Sequence, residues 1–187
     1  MQGLPLHLLP NLLTAARLLL SLPIILLILG ERFAPALWLC LVAGLTDALD
    51  GSLARRCGWV SRLGALLDPL ADKLLLVGSS LALAWVGVLP WWLCLLMIGR
   101  DLLILGGAAS FRLLVGSLEI RPTWSGKLCT VAQIVLVLAL LLGEGLLPEF
   151  TLLHVPLLAV TAVLTLLSGA DYVWRWSRYY RQARQGA

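Results

Sequence analysis

Six apolar runs, near 11–30, 34–56, 63–87, 91–114, 126–143 and 152–174, take up most of this 187-residue chain. Each is close to the ~20 residues that a helix needs to cross a bilayer's hydrocarbon core. No water reaches that core, so a spanning segment must satisfy its own backbone N–H and C=O groups, and a helix does this within one segment. The expected fold is therefore all-α: a polytopic membrane protein with a six-transmembrane-helix bundle. Charge supports lipid as the solvent, because charged residues are 13% of the sequence against about 25% in a soluble domain. A single membrane domain over 1–187 is expected: a short interfacial helix at 1–10, six spans within 11–176 and a basic tail at 177–187. No nucleic-acid partner is expected.

Punctuation between the runs fits this division. Pro5 and Pro10 break the first ten residues, no basic region precedes the first run, and no cleaved leader is expected. Trp85, Pro90, Trp91 and Trp92 mark an interfacial turn. Gly30 closes the first run, and Pro69 is tolerable in a helix's first turn or kinks the helix beyond it. Cys40, Cys57, Cys94 and Cys129 lie scattered in apolar runs with no C-x-x-C pair, which makes them packing residues. His7 and His154 are isolated, so no zinc site is expected. Arg100 and Asp101 sit inside the fourth run. Neighbours in sequence do not face each other on a helix, so each is expected to find a partner on another helix.

Orientation follows from the basic residues. Arg55, Arg56 and Arg62 follow the second run, Arg112, Arg121 and Lys127 follow the fourth, and Arg175, Arg178, Arg181 and Arg184 follow the sixth. The other turns carry Arg32 with Glu31, Glu144 and Glu149. The positive-inside rule then puts both termini and the link after the second run on the cytoplasmic side, in the inner (cell) membrane of a bacterium.

Into this apolar chain the stretch 47–72 sets four aspartates: Asp47, Asp50, Asp68 and Asp72. Each would cost roughly 2.5–3.5 kcal/mol near a bilayer centre, so the set approaches ~10 kcal/mol, less at an interface or beside water. The first pair is three residues apart and the second four, so each pair shares one helical face. Converging carboxylate pairs make an oxygen-only pocket, which suits a hard cation such as Mg²⁺ or Mn²⁺. Lys73 follows directly and can offset part of the negative charge.

Written out, the stretch is D-x2-D-G-x2-A-R-x8-G-x3-D-x3-D, filled by Asp47, Asp50, Gly51, Ala54, Arg55, Gly64, Asp68 and Asp72. This resembles the CDP-alcohol phosphatidyltransferase signature at every fixed position, and the Pro-Asn-x-x-Thr-x-x-Arg segment over 10–17 is also similar to that family's start. The resemblance implies a six-helix membrane bundle, usually dimeric, that transfers a phosphatidyl group from CDP-diacylglycerol to an alcohol and releases CMP. It implies two divalent cations on Asp47, Asp50, Asp68 and Asp72, with Asp72 also in the position of the base that takes the acceptor's hydroxyl proton. Metal ligation and base catalysis compete at Asp72, because a carboxylate on Mg²⁺ stays ionised. CDP binding falls to Asp47, Gly51, Ala54, Arg55 and Gly64: the small residues let the nucleotide approach the backbone and Arg55 pairs with a phosphate.

The acceptor is read from residues outside the signature. Arg112, Arg121 and Lys127 are candidates for the acceptor phosphate, against a reading as topology charges alone. Arg100-Asp101, Thr123, Thr130, Gln133, Ser168 and Tyr172 complete the polar set. The pattern resembles the cardiolipin synthases, with phosphatidylglycerol as acceptor, and also the phosphatidylglycerophosphate synthases, with glycerol 3-phosphate. An Arg-Asp pair in the fourth run looks more like the cardiolipin branch. A cation-coupled transporter with buried aspartates is the remote alternative, and it lacks the broken helices and paired repeats expected of that class.

Overall fold

A computed structural model of the chain describes the backbone over 9–57, 62–115 and 123–185, and side chains over 18–46, 73–107 and 123–178. Six α-helices form: α1 Leu9–Leu29, α2 Phe33–Cys57, α3 Arg62–Trp85, α4 Trp91–Val115, α5 Trp124–Gly145 and α6 His154–Gln185. A short 3-10 helix, Pro148–Leu153, leads into α6. No strand occurs among the described residues. The all-α expectation therefore holds, and each expected run contains one helix.

Local chemistry sets the helix ends. After α1, the N–H of Arg32 bonds to the carbonyl of Leu27 and that of Glu31 to Ile28. This is the Schellman closure, which needs one residue in the left-handed region. That residue is Glu31, at φ 56°, and not the neighbouring Gly30. α3 closes in the same way, with Val88 bonded to Leu83 and Gly87 to Ala84, but here a glycine takes the left-handed position, at φ 82°. α4 opens on the Pro90 carbonyl, which accepts from Leu93 and Cys94. α5 opens on Thr123, whose hydroxyl accepts from the Gly126 N–H at 3.1 Å.

Three positions refine the expected boundaries. Pro10 lies in the first turn of α1, where a missing N–H leaves no bond unmade. Pro69 lies past the first turn of α3. The segment after 176, expected as a tail, continues as helix to Gln185. It contains no Gly or Pro before Gly186, and its Arg, Gln and Ala are good helix formers.

The chain forms two compact units, Met1–Leu89 with Val137–Thr151, and Pro90–Leu136 with Leu152–Ala187. In the first, α1 packs on α2 and α3, and Ile24, Ile28, Leu37, Leu83, Leu140 and Leu141 are buried. Two glycines allow close approach there. A Cβ on Gly145 would come within 2.5 Å of the Ala34 backbone nitrogen, and one on Gly78 would meet the Ile25 side chain.

In the second unit α4 packs on α6, with the Trp176 ring lying where a Gly107 side chain would be. Its interior mixes apolar residues, Leu93, Met97 and Leu136 among them, with polar ones. Gln133, Thr161, Thr165 and Ser168 are buried to 1% exposure or less, while Leu152 and Val155 are 83% and 74% exposed. Lipid as solvent removes the cost of such an exterior, and the buried hydroxyls bond within the protein. Among the described residues two segments are long and apolar enough to cross a bilayer, Trp124–Gly145 and Pro148–Arg178, each with mean hydropathy 2.1. Leu18–Leu29, Phe33–Thr46 and Lys73–Trp85 are shorter apolar stretches.

Candidate functional site

The signature residues fall on two consecutive helices of the first unit. Asp47, Asp50, Gly51, Ala54 and Arg55 lie in the last three turns of α2, and Gly64, Asp68 and Asp72 in the first three turns of α3. The helical backbone runs unbroken through both aspartate pairs. The three- and four-residue spacings therefore do place each pair on one face of its helix. The link between the helices, 58–61, and the side chains of 47–72 lie outside the described residues. Four residues, and so five peptide steps, separate Cys57 from Arg62, which holds those two helix ends within about 18 Å. The candidate donors of this stretch are four carboxylates with no sulfur or imidazole, a chemistry that would suit a hard divalent cation.

The candidate acceptor residues are placed unevenly. Arg112 lies in the last turn of α4, its side chain outside the described residues, and Arg121 lies outside them altogether. Lys127 is in the first turn and a half of α5, exposed, with Nζ 5.2 Å from the centroid of the Trp124 ring. Lys73, the first residue of α3 with a described side chain, is half-buried.

A second polar constellation is fully drawn, in the other unit. At its centre is Arg100 on α4, whose side chain is 8% exposed. Its Nη1 donates to Asp101 Oδ1 at 2.7 Å. Its Nε and Nη2 donate to Ser168 Oγ on α6 at 3.1 and 2.8 Å. Nη2 also reaches the Gly126 carbonyl on α5 at 3.4 Å. The Tyr172 ring lies 5.9 Å from the guanidinium carbon. Gly126 leaves the room for this: a Cβ there would stand 3.1 Å from Arg100 Nη2 and 3.2 Å from the Tyr172 hydroxyl.

This corrects one expectation. Arg100 and Asp101 pair with each other, although neighbours on a helix diverge by about 100°. The arginine stem is long enough to carry the planar fork around the helix, so one edge meets Asp101 while the rest meets α5 and α6. The expectation of partners on other helices is met by Arg100 itself, through Ser168 and Gly126.

Beside it, Ser125 Oγ donates to Asp171 Oδ2 at 2.6 Å and lies 3.0 Å from Thr123 Oγ1. Arg175 Nε reaches Asp171 Oδ1 at 2.9 Å, one turn along α6. Deeper between α5 and α6, Cys129 Sγ meets Thr165 Oγ1 at 3.5 Å, and Gln133 Nε2 meets Cys129 Sγ at 3.6 Å. Cys129 packs as a small buried residue here, and Cys40, Cys94 and Cys129 are all free thiols. Sequence reasoning named Arg100, Asp101, Gln133, Ser168 and Tyr172 as polar residues but did not join them. It gave Ser125 and Asp171 no role. The signal was available: Ser168, Asp171, Tyr172 and Arg175 recur at helical spacing on α6.

The family model for CDP-alcohol phosphatidyltransferases matches residues 7–167. The chain belongs to that family. Among its relatives is a probable phosphatidylglycerophosphate synthase of Mycobacterium tuberculosis (strain ATCC 25618 / H37Rv), 38% identical over 149 residues, covering 78% of this chain and 67% of that protein. The CDP-diacylglycerol–glycerol-3-phosphate 3-phosphatidyltransferase of Escherichia coli (strain K12) is 36% identical over 172 residues, covering 88% of this chain and 92% of that protein. A CMP-forming cardiolipin synthase of Streptomyces coelicolor is 41% identical over 103 residues, covering 51% and 47%. The matched region takes in the whole aspartate stretch of this CDP-alcohol phosphatidyltransferase, and also Arg100, Gly126 and Lys127.

Proposed function

We propose that the protein transfers the phosphatidyl group of CDP-diacylglycerol to a phosphate-bearing alcohol and releases CMP, with phosphatidylglycerol as acceptor and cardiolipin as product. The observation that carries this reading is the complete aspartate signature on α2 and α3 of a chain that belongs to the CDP-alcohol phosphatidyltransferase family. The adjacent Arg100-Asp101 pair favours phosphatidylglycerol. Glycerol 3-phosphate is the second reading, supported by the length match to the E. coli relative.

Asp47, Asp50, Asp68 and Asp72 would hold two divalent ions, Mg²⁺ or Mn²⁺. When bound, such ions neutralise the donor's pyrophosphate and stabilise the leaving phosphate. The chain's own residues supply the rest. Gly51, Ala54 and Gly64 leave the nucleotide access to the backbone of α2 and α3. Arg55 offers a planar fork to a donor phosphate. Asp72 accepts the proton of the attacking hydroxyl when its oxygen is not engaged as a ligand. Arg112, Arg121 and Lys127 hold the acceptor's phosphate.

The six helices span an inner (cell) membrane of a bacterium with both termini and the link between α2 and α3 on the cytoplasmic side. The arginines in the C-terminal parts of α2, α4 and α6 support that orientation, and the exposed leucines and valines of the second unit suit a lipid exterior. A homodimer is the assembly that the family resemblance implies, and its mass in nanodiscs tests it.

The deciding experiment uses purified protein with CDP-diacylglycerol, a divalent cation and either acceptor, the products being separated by mass. Cardiolipin with phosphatidylglycerol, and CMP release that chelator abolishes, are expected. Product only with glycerol 3-phosphate moves the assignment to the second reading. CMP release indifferent to chelator removes the metal role.

A further inference from the structure

The Arg100 cluster is the most heavily bonded polar group among the described residues, and the transfer reaction as derived above gives it no part. Its guanidinium has five N–H groups. Four are engaged: one on Ser168 and one on Asp101, and two from Nη2 on Ser168 and the Gly126 carbonyl. One remains, so the fork that grips a phosphate bidentately is already taken. The side chain is also 8% exposed, which leaves little surface for a ligand. Arg100 is thus built to hold protein, and what it holds is the start of α5.

That start is fixed on three sides. Thr123 caps it through the Gly126 N–H. Arg100 takes the Gly126 carbonyl from the α4 side. Ser168 and Tyr172 close it from α6, with the Tyr172 hydroxyl and Arg100 Nη2 both in the space that a side chain on residue 126 would need. The next residue is Lys127, one of the basic residues assigned to the acceptor's phosphate. A rotation or slide of this turn would swing the Lys127 ammonium, which stands at the end of a long stem.

We propose that Arg100 is a positioning residue for the acceptor: by clamping the first turn of α5 between α4 and α6 through Gly126 and Ser168, it sets where Lys127 presents its charge. The proposal rests on the phosphatidyl-transfer reading. It differs from a phosphate-binding role for Arg100, in which charge alone would count. It differs also from plain helix packing, which would affect both substrates alike.

Three variants separate these roles: Arg100→Lys, Gly126→Ala and Ser168→Ala. Each is purified and assayed for the apparent KM of the acceptor and of CDP-diacylglycerol, with thermal unfolding followed in parallel. Arg100→Lys keeps the charge and loses the fork. Gly126→Ala keeps every charge and pushes the guanidinium away. Ser168→Ala removes only the α6 anchor. All three are expected to raise the acceptor KM at least fivefold, with the CDP-diacylglycerol KM held within twofold. Lys127→Gln is expected to raise the acceptor KM by a smaller factor in the Arg100→Lys background than in the parent, because the clamp acts through Lys127.

An Arg100→Lys variant with near-parental acceptor KM, beside silent Gly126→Ala and Ser168→Ala, overturns the proposal in favour of direct phosphate contact. A parallel rise in both KM values, tracking a lower unfolding temperature, overturns it in favour of packing. In either case CMP release by the parent protein leaves the transfer reading standing. Absence of CMP release from CDP-diacylglycerol by the parent overturns the transfer reading, and this inference with it.

Discussion

Asp50 and Asp68 lie on separate helices, one in each aspartate pair, so a change at either tests the four-carboxylate site from one side. Aspartate-to-asparagine keeps the shape and removes the charge that holds a hard cation. Asp50→Asn and Asp68→Asn are each expected to lower turnover by about a hundredfold or more, since metal stabilisation of the reacting phosphate is worth several kcal/mol. The protein should still insert and run as a folded species in detergent. Activity within a few-fold of the parent would count against the metal site. The basic residues give a finer contrast. Neutralising Arg121 or Lys127 is expected to raise the acceptor KM about ten- to a hundredfold, the weight of a charge-assisted contact of roughly 1.5–3 kcal/mol. Arg55→Gln should instead raise the KM for CDP-diacylglycerol. Equal, small effects on both substrates would reduce Arg121 and Lys127 to topology charges. At this scale the sequence was legible where spacing is rigid, as at Asp47 and Asp50, and illegible where reach decides. Nothing in the adjacency of Arg100 and Asp101 shows that a long stem lets one guanidinium serve Asp101, Ser168 and Gly126 together.

At the level of elements, apolar length located the helices and turn chemistry located their ends less well. Gly30 reads as the stop of α1, yet Glu31 takes the left-handed conformation, because the closing bonds to Leu27 and Ile28 fix which residue must turn. A side chain there carries strain that a glycine would not. Glu31→Gly is therefore expected to stabilise the protein by up to about 1 kcal/mol. Glu31→Val is expected to destabilise it, since a β-branched residue tolerates positive φ worst. Thermal unfolding in detergent reads both, and a Glu31→Val variant as stable as the parent would mean that this turn is not held as described. α6 shows the converse limit. Arginine-rich sequence after 176 reads equally well as a solvated tail or as a polar helix, and the continuation to Gln185 accords with the helix propensity of its Arg, Gln and Ala and with no apolar pattern.

For the whole molecule the two compact units differ in what their interiors add to leucine: isoleucine and small serines around α1 in one, and threonines, Ser168, Gln133 and Arg100 between α4, α5 and α6 in the other. Composition alone could not assign these interiors, because leucine is also what faces lipid; helical spacing of the polar residues is the only sequence signal that distinguishes them. Basic residues cluster toward the C-terminal ends of α2, α4 and α6, and Glu31, Glu144 and Glu149 lie at the alternate ends. If six helices span the bilayer, this alternation fixes one orientation. In a variant without Cys40, Cys57, Cys94 and Cys129, a single cysteine beside Arg62 should resist an impermeant thiol reagent in intact cells and react after permeabilisation. A cysteine beside Glu149 should react in intact cells. Labelling at both sites without permeabilisation would mean that an even number of spans separates them, and not the three helices α3, α4 and α5 that lie between them. The reverse pattern would invert the protein and put the aspartates on the side away from cytoplasmic CDP-linked substrate. Moving Arg55, Arg56 and Arg62 from around the α2–α3 link to the turn before Phe33 should push the labelling toward that reverse pattern, because the orientation is set by where the positive charges lie and not by the helices themselves.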